Sequence, residues 1–97
     1  MANLKISTCA ICRDPDQAAQ AVAIGDPVFQ TRICPLCARH TAVSLWPHSA
    51  DTWLFVLASG GKLLARLSTQ PKSLGEAARQ STLEALQGEL AAIGNRY

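Results

Sequence analysis

Four cysteines in two Cys-x-x-Cys pairs, Cys9–Cys12 and Cys34–Cys37, constrain this chain more than any other feature. Twenty-one residues separate the pairs, and no cysteine lies outside them. A two-residue gap lets one tight turn present two thiolates to one ion at about 2.3 Å, and two such turns complete a tetrahedron. Four soft ligands with no open position describe a structural site, so the reading is one Zn2+ per chain on Cys9, Cys12, Cys34 and Cys37. Such sites release about 10–16 kcal/mol of apparent binding free energy, more than the whole folding stability of most small domains. The spacing leaves three alternatives open: a pair of redox dithiols, an iron–sulfur cluster, or four unrelated buried thiols. Neither pair sits in a βαβ pattern, which counts against redox dithiols. His40 follows Cys37 by three residues but would enter the shell only if a thiolate left it, so it reads as a surface residue. His48, just after Pro47, reads as a loop residue.

A metal staple has a clear use here. A chain of 97 residues buries roughly 60–65% of the surface its unfolded form exposes, which makes for a thin core. Aromatic residues are 5% of the sequence against 48% hydrophobic overall, so that core must be built from Leu, Val, Ile and Ala. Charged residues, at 16%, fall below the usual globular share of about 25%. The chain is therefore expected to be ordered and to hide apolar surface in a partner or a second copy of itself. No signal peptide is visible, since Lys5 is the only early charge and Leu4-Lys5-Ile6 is too short for a hydrophobic region. The longest apolar run, Trp53 to Ala58, cannot span a bilayer. A cytoplasmic protein without membrane association is expected, in a compartment where thiols stay reduced. Nine Lys and Arg against seven Asp and Glu give +2. Four thiolates and one zinc ion change that by −4 + 2 = −2, so the loaded protein is near neutral.

Two segments follow from the pattern, a four-cysteine zinc-binding segment over 1–47 and a hairpin-plus-helix segment over 48–97, expected to pack as one domain. In the first, Leu4 to Thr8 leads into the first knuckle, and Asp14-Pro15-Asp16-Gln17 reads as a turn or capped short helix. Ala21-Val22-Ala23-Ile24 is a short apolar stretch ended by the turn signal Gly25-Asp26-Pro27. Val28 to Ile33 alternates as a strand would. Ala38 to Trp46 has helical composition and is stopped by Pro47. In the second, Trp53 to Ala58 is a near-continuous apolar strand that needs cover on both faces. Gly60-Gly61 suits a hairpin turn. In the return strand, alternation puts Leu63, Ala65 and Leu67 on one face and Leu64, Arg66 and Ser68 on the other. Ser73-Leu74-Gly75-Glu76 has capping-box form, predicting a helix from Leu74 to about Ile93 with a left-handed stop at Gly94-Asn95. Leu83, Leu86, Leu90 and Ile93 form its apolar stripe, which reads as core packing, with a dimer seam as the alternative. The fold class is α+β, a treble-clef-like zinc finger followed by a β-hairpin and a C-terminal helix.

The order of knuckle, short hairpin, second knuckle and helix resembles a treble-clef zinc finger. More narrowly, it resembles the N-terminal zinc-binding domain of the ClpX unfoldases. The matching residues are Cys9-Ala10-Ile11-Cys12, Val22-Ala23-Ile24-Gly25, Pro27-Val28 and Ile33-Cys34-Pro35-Leu36-Cys37 with the helix after them. The likeness covers residues 7–46. It implies zinc on the four cysteines, dimerisation, and capture of adaptors and substrates for an attached ATPase. No Walker A pattern occurs in the sequence, and the stretch between the knuckles is somewhat longer than the family's.

Three functions compete. The first is a zinc-stabilised protein-interaction module, an adaptor, inhibitor or regulator that docks on a larger protein. The second is a nucleic-acid-binding zinc finger involved in transcription regulation, with Lys5, Arg13, Arg32 and Arg39 gathered around the knuckles. Near-neutral charge, few aromatics and the lack of a Lys/Arg run count against it. The third is an enzyme. Its seven carboxylates form no paired motif and no Gly-rich phosphate loop exists, so no catalytic residue is assigned.

Overall fold

The computed structural model describes residues 8–14 and 20–96. Apart from Thr8 and Asp14, the lead-in and the turn expected over 4–8 and 14–17 lie outside them. The protein is α+β, with antiparallel strands and a C-terminal helix. Strands β1 (Val22–Ala23) and β2 (Arg32–Ile33) pair as a short antiparallel hairpin. A single-turn helix α1 (Pro35–Ala38) follows. A three-stranded antiparallel sheet then runs in chain order through β3 (Ala42–Ser49), β4 (Thr52–Ser59) and β5 (Lys62–Pro71). The chain closes with helix α2 (Glu76–Gly94).

The largest departure from the sequence reading is the stretch Ala38 to Trp46, which is not helical. Helix α1 stops at Ala38, and from Ala42 the chain is the edge strand β3. The Cys37 carbonyl shows why. It accepts the His40 amide at 3.0 Å and the Thr41 hydroxyl at 3.2 Å, so a side chain takes the position that the residue-41 amide would fill in a continuing helix. Beyond it, Val43 and Leu45 pack towards one core cluster and Trp46 towards another, which is the two-sided alternation of a strand. Pro47 lies inside β3 instead of ending a helix, and an edge strand is where a sheet tolerates proline.

Strand β4 sits between two neighbours and is buried on both faces, as its apolar run requires. Phe55 and Leu57 are fully buried, with Leu67 of β5 and Leu86, Leu90 and Ile93 of α2. Ile24, Ile33, Cys34 and Ala38 join the same cluster, so the cysteine-bearing segment, the sheet and the helix share one core. Fully burying a side chain the size of Phe55 stabilises the fold by about 1.5–3 kcal/mol. On the opposite face Leu54, Val56 and Ala58 are buried beneath Phe29, Trp46 and Leu63. The chain covers its own central strand.

Strand β5 does not keep simple alternation. Its register against β4 shifts twice, skipping Leu64 and Leu67. The first shift separates Leu63, which packs with Leu54 and Val56, from Ala65 and Leu67, which pack on the α2 side. The connecting turn is as expected, with Gly60 and Gly61 at φ +59° and +77° between the paired Ser59 and Lys62.

Three local expectations shift. Of the strand expected over Val28 to Ile33, only Arg32–Ile33 is extended. Asp26 ties off the rest, its Oδ1 accepting the Val28 amide at 2.9 Å and its carbonyl the Phe29 amide at 3.0 Å. The capping box does not form. Lys72–Leu74 is a 3-10 turn, and α2 begins at Glu76 after Gly75 at φ +94°. The helix end is not left-handed, because Asn95 has φ −91°. Instead Arg39 Nε donates to the Gly94 carbonyl at 2.7 Å, a cation at the negative end of the helix.

Candidate metal centre

Each pair of cysteines is carried by a tight turn whose backbone is tied down on both sides. In the first, the Arg13 amide closes onto the Cys9 carbonyl at 3.0 Å, with Arg13 itself in the left-handed region at φ +54°. The Ala10 amide donates to the Arg32 carbonyl at 2.8 Å, which fixes this turn against β2. In the second, Cys34 is the N-cap of α1 in extended conformation, and Pro35 supplies the first helical position, where its missing N–H costs nothing. The Ala38 amide returns to the Cys34 carbonyl at 3.0 Å.

These turns bring the four predicted ligands together. The sulfur atoms of Cys9, Cys12, Cys34 and Cys37 all lie within 4.8 Å of one another, close enough to hold one metal ion. Cys12 and Cys34, from different turns, are 3.9 Å apart at sulfur. A tetrahedron with 2.3 Å metal–sulfur bonds has edges of about 3.8 Å. Cys9 and Cys34 are buried, Cys37 is half-buried and Cys12 is exposed. His40 and His48 are both exposed and neither belongs to the cluster.

The electrostatics suit a cation. Burial pushes the Cys9 thiol up, but the backbone amides of Cys12, Cys34 and Ile11, with the Cys37 thiol, outweigh it and bring Cys9 down to about 6. One of those amides, that of Ile11, lies 3.4 Å from the sulfur. Cys37 is pushed well up, first by burial and then by the Cys34, Cys9 and Cys12 sulfurs around it. At Cys12 the Asp14 backbone is the largest influence and lowers the value, yet burial and the Cys9 and Cys34 sulfurs carry it upward. The cluster thus welcomes one thiolate and resists the next. A divalent cation at the centre removes that resistance, because thiolate ligands give up their protons to the metal.

The hairpin between the two turns is held by contacts that the sequence did not announce. The Asp26 amide donates to the Leu67 carbonyl at 2.7 Å and the Thr31 hydroxyl to the Arg66 carbonyl at 2.5 Å. Both acceptors lie at the second bulge of β5. The only sequence signal was Gly25-Asp26-Pro27, which marks a turn but not what it packs against. Comparison with protein families, with curated proteins and with solved structures found no match to this chain.

Proposed function

We propose that this chain is a small zinc-stapled interaction module of treble-clef type that docks on a larger protein as an adaptor, inhibitor or regulator. The observation that carries the reading is the closed cluster of four thiols within 4.8 Å. Four sulfur ligands fill a tetrahedral shell and leave no position for a substrate, which is the property of a structural site. The order of first cysteine turn, β1–β2 hairpin, second cysteine turn and α1 supports the treble-clef assignment, although α1 has only four residues before the chain turns into β3. Likeness to the ClpX zinc-binding domain rests on the residues alone. Among the described residues, Val28, Leu74 and Leu36 are large apolar side chains left 80%, 58% and 43% exposed, and Val28 and Leu36 belong to the cysteine-bearing segment. These two are the first candidates for a docking surface. A reduced cytoplasmic setting is part of the reading, because it keeps the four thiols available to the ion.

Elemental analysis of protein purified without added metal should find one zinc per chain; iron, or folded metal-free protein, would overturn the zinc assignment. Immobilised zinc-loaded protein should then retain a discrete protein partner from its native cell, and a Val28→Asp, Leu36→Asp variant should release it. Retention of nuclease-sensitive, salt-sensitive nucleic acid in its place would move the assignment to a nucleic-acid-binding zinc finger.

A further inference from the structure

The four thiols are unequally sheltered. Cys9 and Cys34 are 0% exposed, whereas Cys12 is open to solvent. A small electrophile arriving from water therefore meets Cys12 first. Its sulfur is 3.9 Å from that of Cys34, and a disulfide needs about 2.05 Å, so closure asks for a movement of about 2 Å. The exposed Cys12 side chain can supply this by rotating about its Cα–Cβ bond with the turn in place, while Cys34 is buried at the start of α1. Cys9 is the nearer cysteine in sequence, but its sulfur already accepts the Ile11 amide, inside a turn closed by the Arg13 amide.

Resting on the zinc assignment above, we propose that Cys12 is an oxidant-reactive ligand: hydrogen peroxide oxidises it, and it closes a disulfide with Cys34 that releases the metal. The Cys12 thiolate attacks one peroxide oxygen, so that an S–O bond forms, the O–O bond breaks and hydroxide leaves. The Cys34 thiolate then attacks the Cys12 sulfur, the S–S bond forms, and a second hydroxide leaves. Two thiolates give up two electrons in all, and one peroxide accepts them. Cys9 and Cys37 remain as half of a ligand set. The new bond spans the two cysteine turns, so it keeps them beside each other after the ion has gone.

The test uses the full zinc-loaded chain, checked first for one zinc per chain, with equimolar hydrogen peroxide. Released zinc is followed with a coloured chelator, free thiols are alkylated, and the chain is cut with trypsin. Cleavage after Arg13 and Arg39 puts Cys9 and Cys12 on one peptide and Cys34 and Cys37 on another. The expected product is a joined pair of peptides, with fragmentation placing the bond between Cys12 and Cys34. It should appear at the same rate as the loss of about one zinc per chain, and dithiothreitol with added zinc should reverse both. A disulfide within one turn, zinc release without a disulfide, or no reaction at tenfold excess peroxide overturns the proposal while leaving the zinc assignment intact. A zinc-free starting protein overturns both.

Discussion

At Gly25 the backbone has φ +84°, and a Cβ built there would lie 2.6 Å from the Leu67 carbonyl oxygen. Two separate penalties meet at one position, a left-handed conformation and a backbone collision. Gly25→Ala should therefore destabilise the protein by about 2–4 kcal/mol in urea titration. Gly60 has similar φ but open space around it, so Gly60→Ala should cost only about 1 kcal/mol. Equal costs at the two sites would show that the hairpin does not press on β5. At the ligands the scale differs. Cys34→Ser should reduce zinc content to a small fraction of one per chain and abolish the cooperative thermal transition of the cysteine-bearing segment, by calorimetry with elemental analysis. The contrast explains what was legible. Cysteine identity and spacing carry coordination chemistry in themselves, so the cluster could be read from Cys9, Cys12, Cys34 and Cys37. Gly25 shows only that a turn exists, because its partner Leu67 is far along the chain and was placed by a bulge that no local pattern marks.

Among the elements, β3 was the hardest to read. Ala38 to Trp46 has the composition of a helix, but the Thr41 hydroxyl takes the Cys37 carbonyl and the residues beyond it pair with β4 and pack on both faces of the sheet. The two-stranded hairpin of β4 and β5 was visible because Gly60-Gly61 separates two apolar runs, but its third strand was hidden by that ambiguity. As an edge, β3 is guarded in two ways. The Val43 amide, which points away from β4, is taken by the Gln87 side chain of α2 at 3.0 Å. Two-residue periodicity puts Pro47 on the same outward side, where it offers no N–H. Pro47→Val should restore that donor. The variant is expected to keep its zinc but to show a mass that rises with concentration in light scattering. A concentration-independent mass would mean that Pro47 is not the guard.

For the molecule as a whole, the burial of both faces of β4 bears on self-association. Sequence alone left one face of Trp53 to Ala58 without evident cover, and a second copy was one way to supply it. Phe29, Trp46 and Leu63 cover it from within the chain. Light scattering at micromolar concentration should therefore give a mass near 10.3 kDa. Phe55→Glu should unfold the protein without passing through a folded monomer, because Phe55 is fully buried in the shared core. A mass near twice that value would mean a contact elsewhere than on β4, with the exposed Val28, Leu36 and Leu74 the first positions to substitute. The docking of the Gly25–Asp26 loop on β5 also has a practical side. That loop occupies carbonyls of the sheet's other edge strand, and it belongs to the segment that carries the proposed zinc site. Chelators in a purification buffer, or growth in zinc-poor medium, should thus do more than loosen the first forty residues. They should bare a strand able to recruit its like from neighbouring molecules, and the preparation should turn cloudy on standing while the zinc-replete one stays clear.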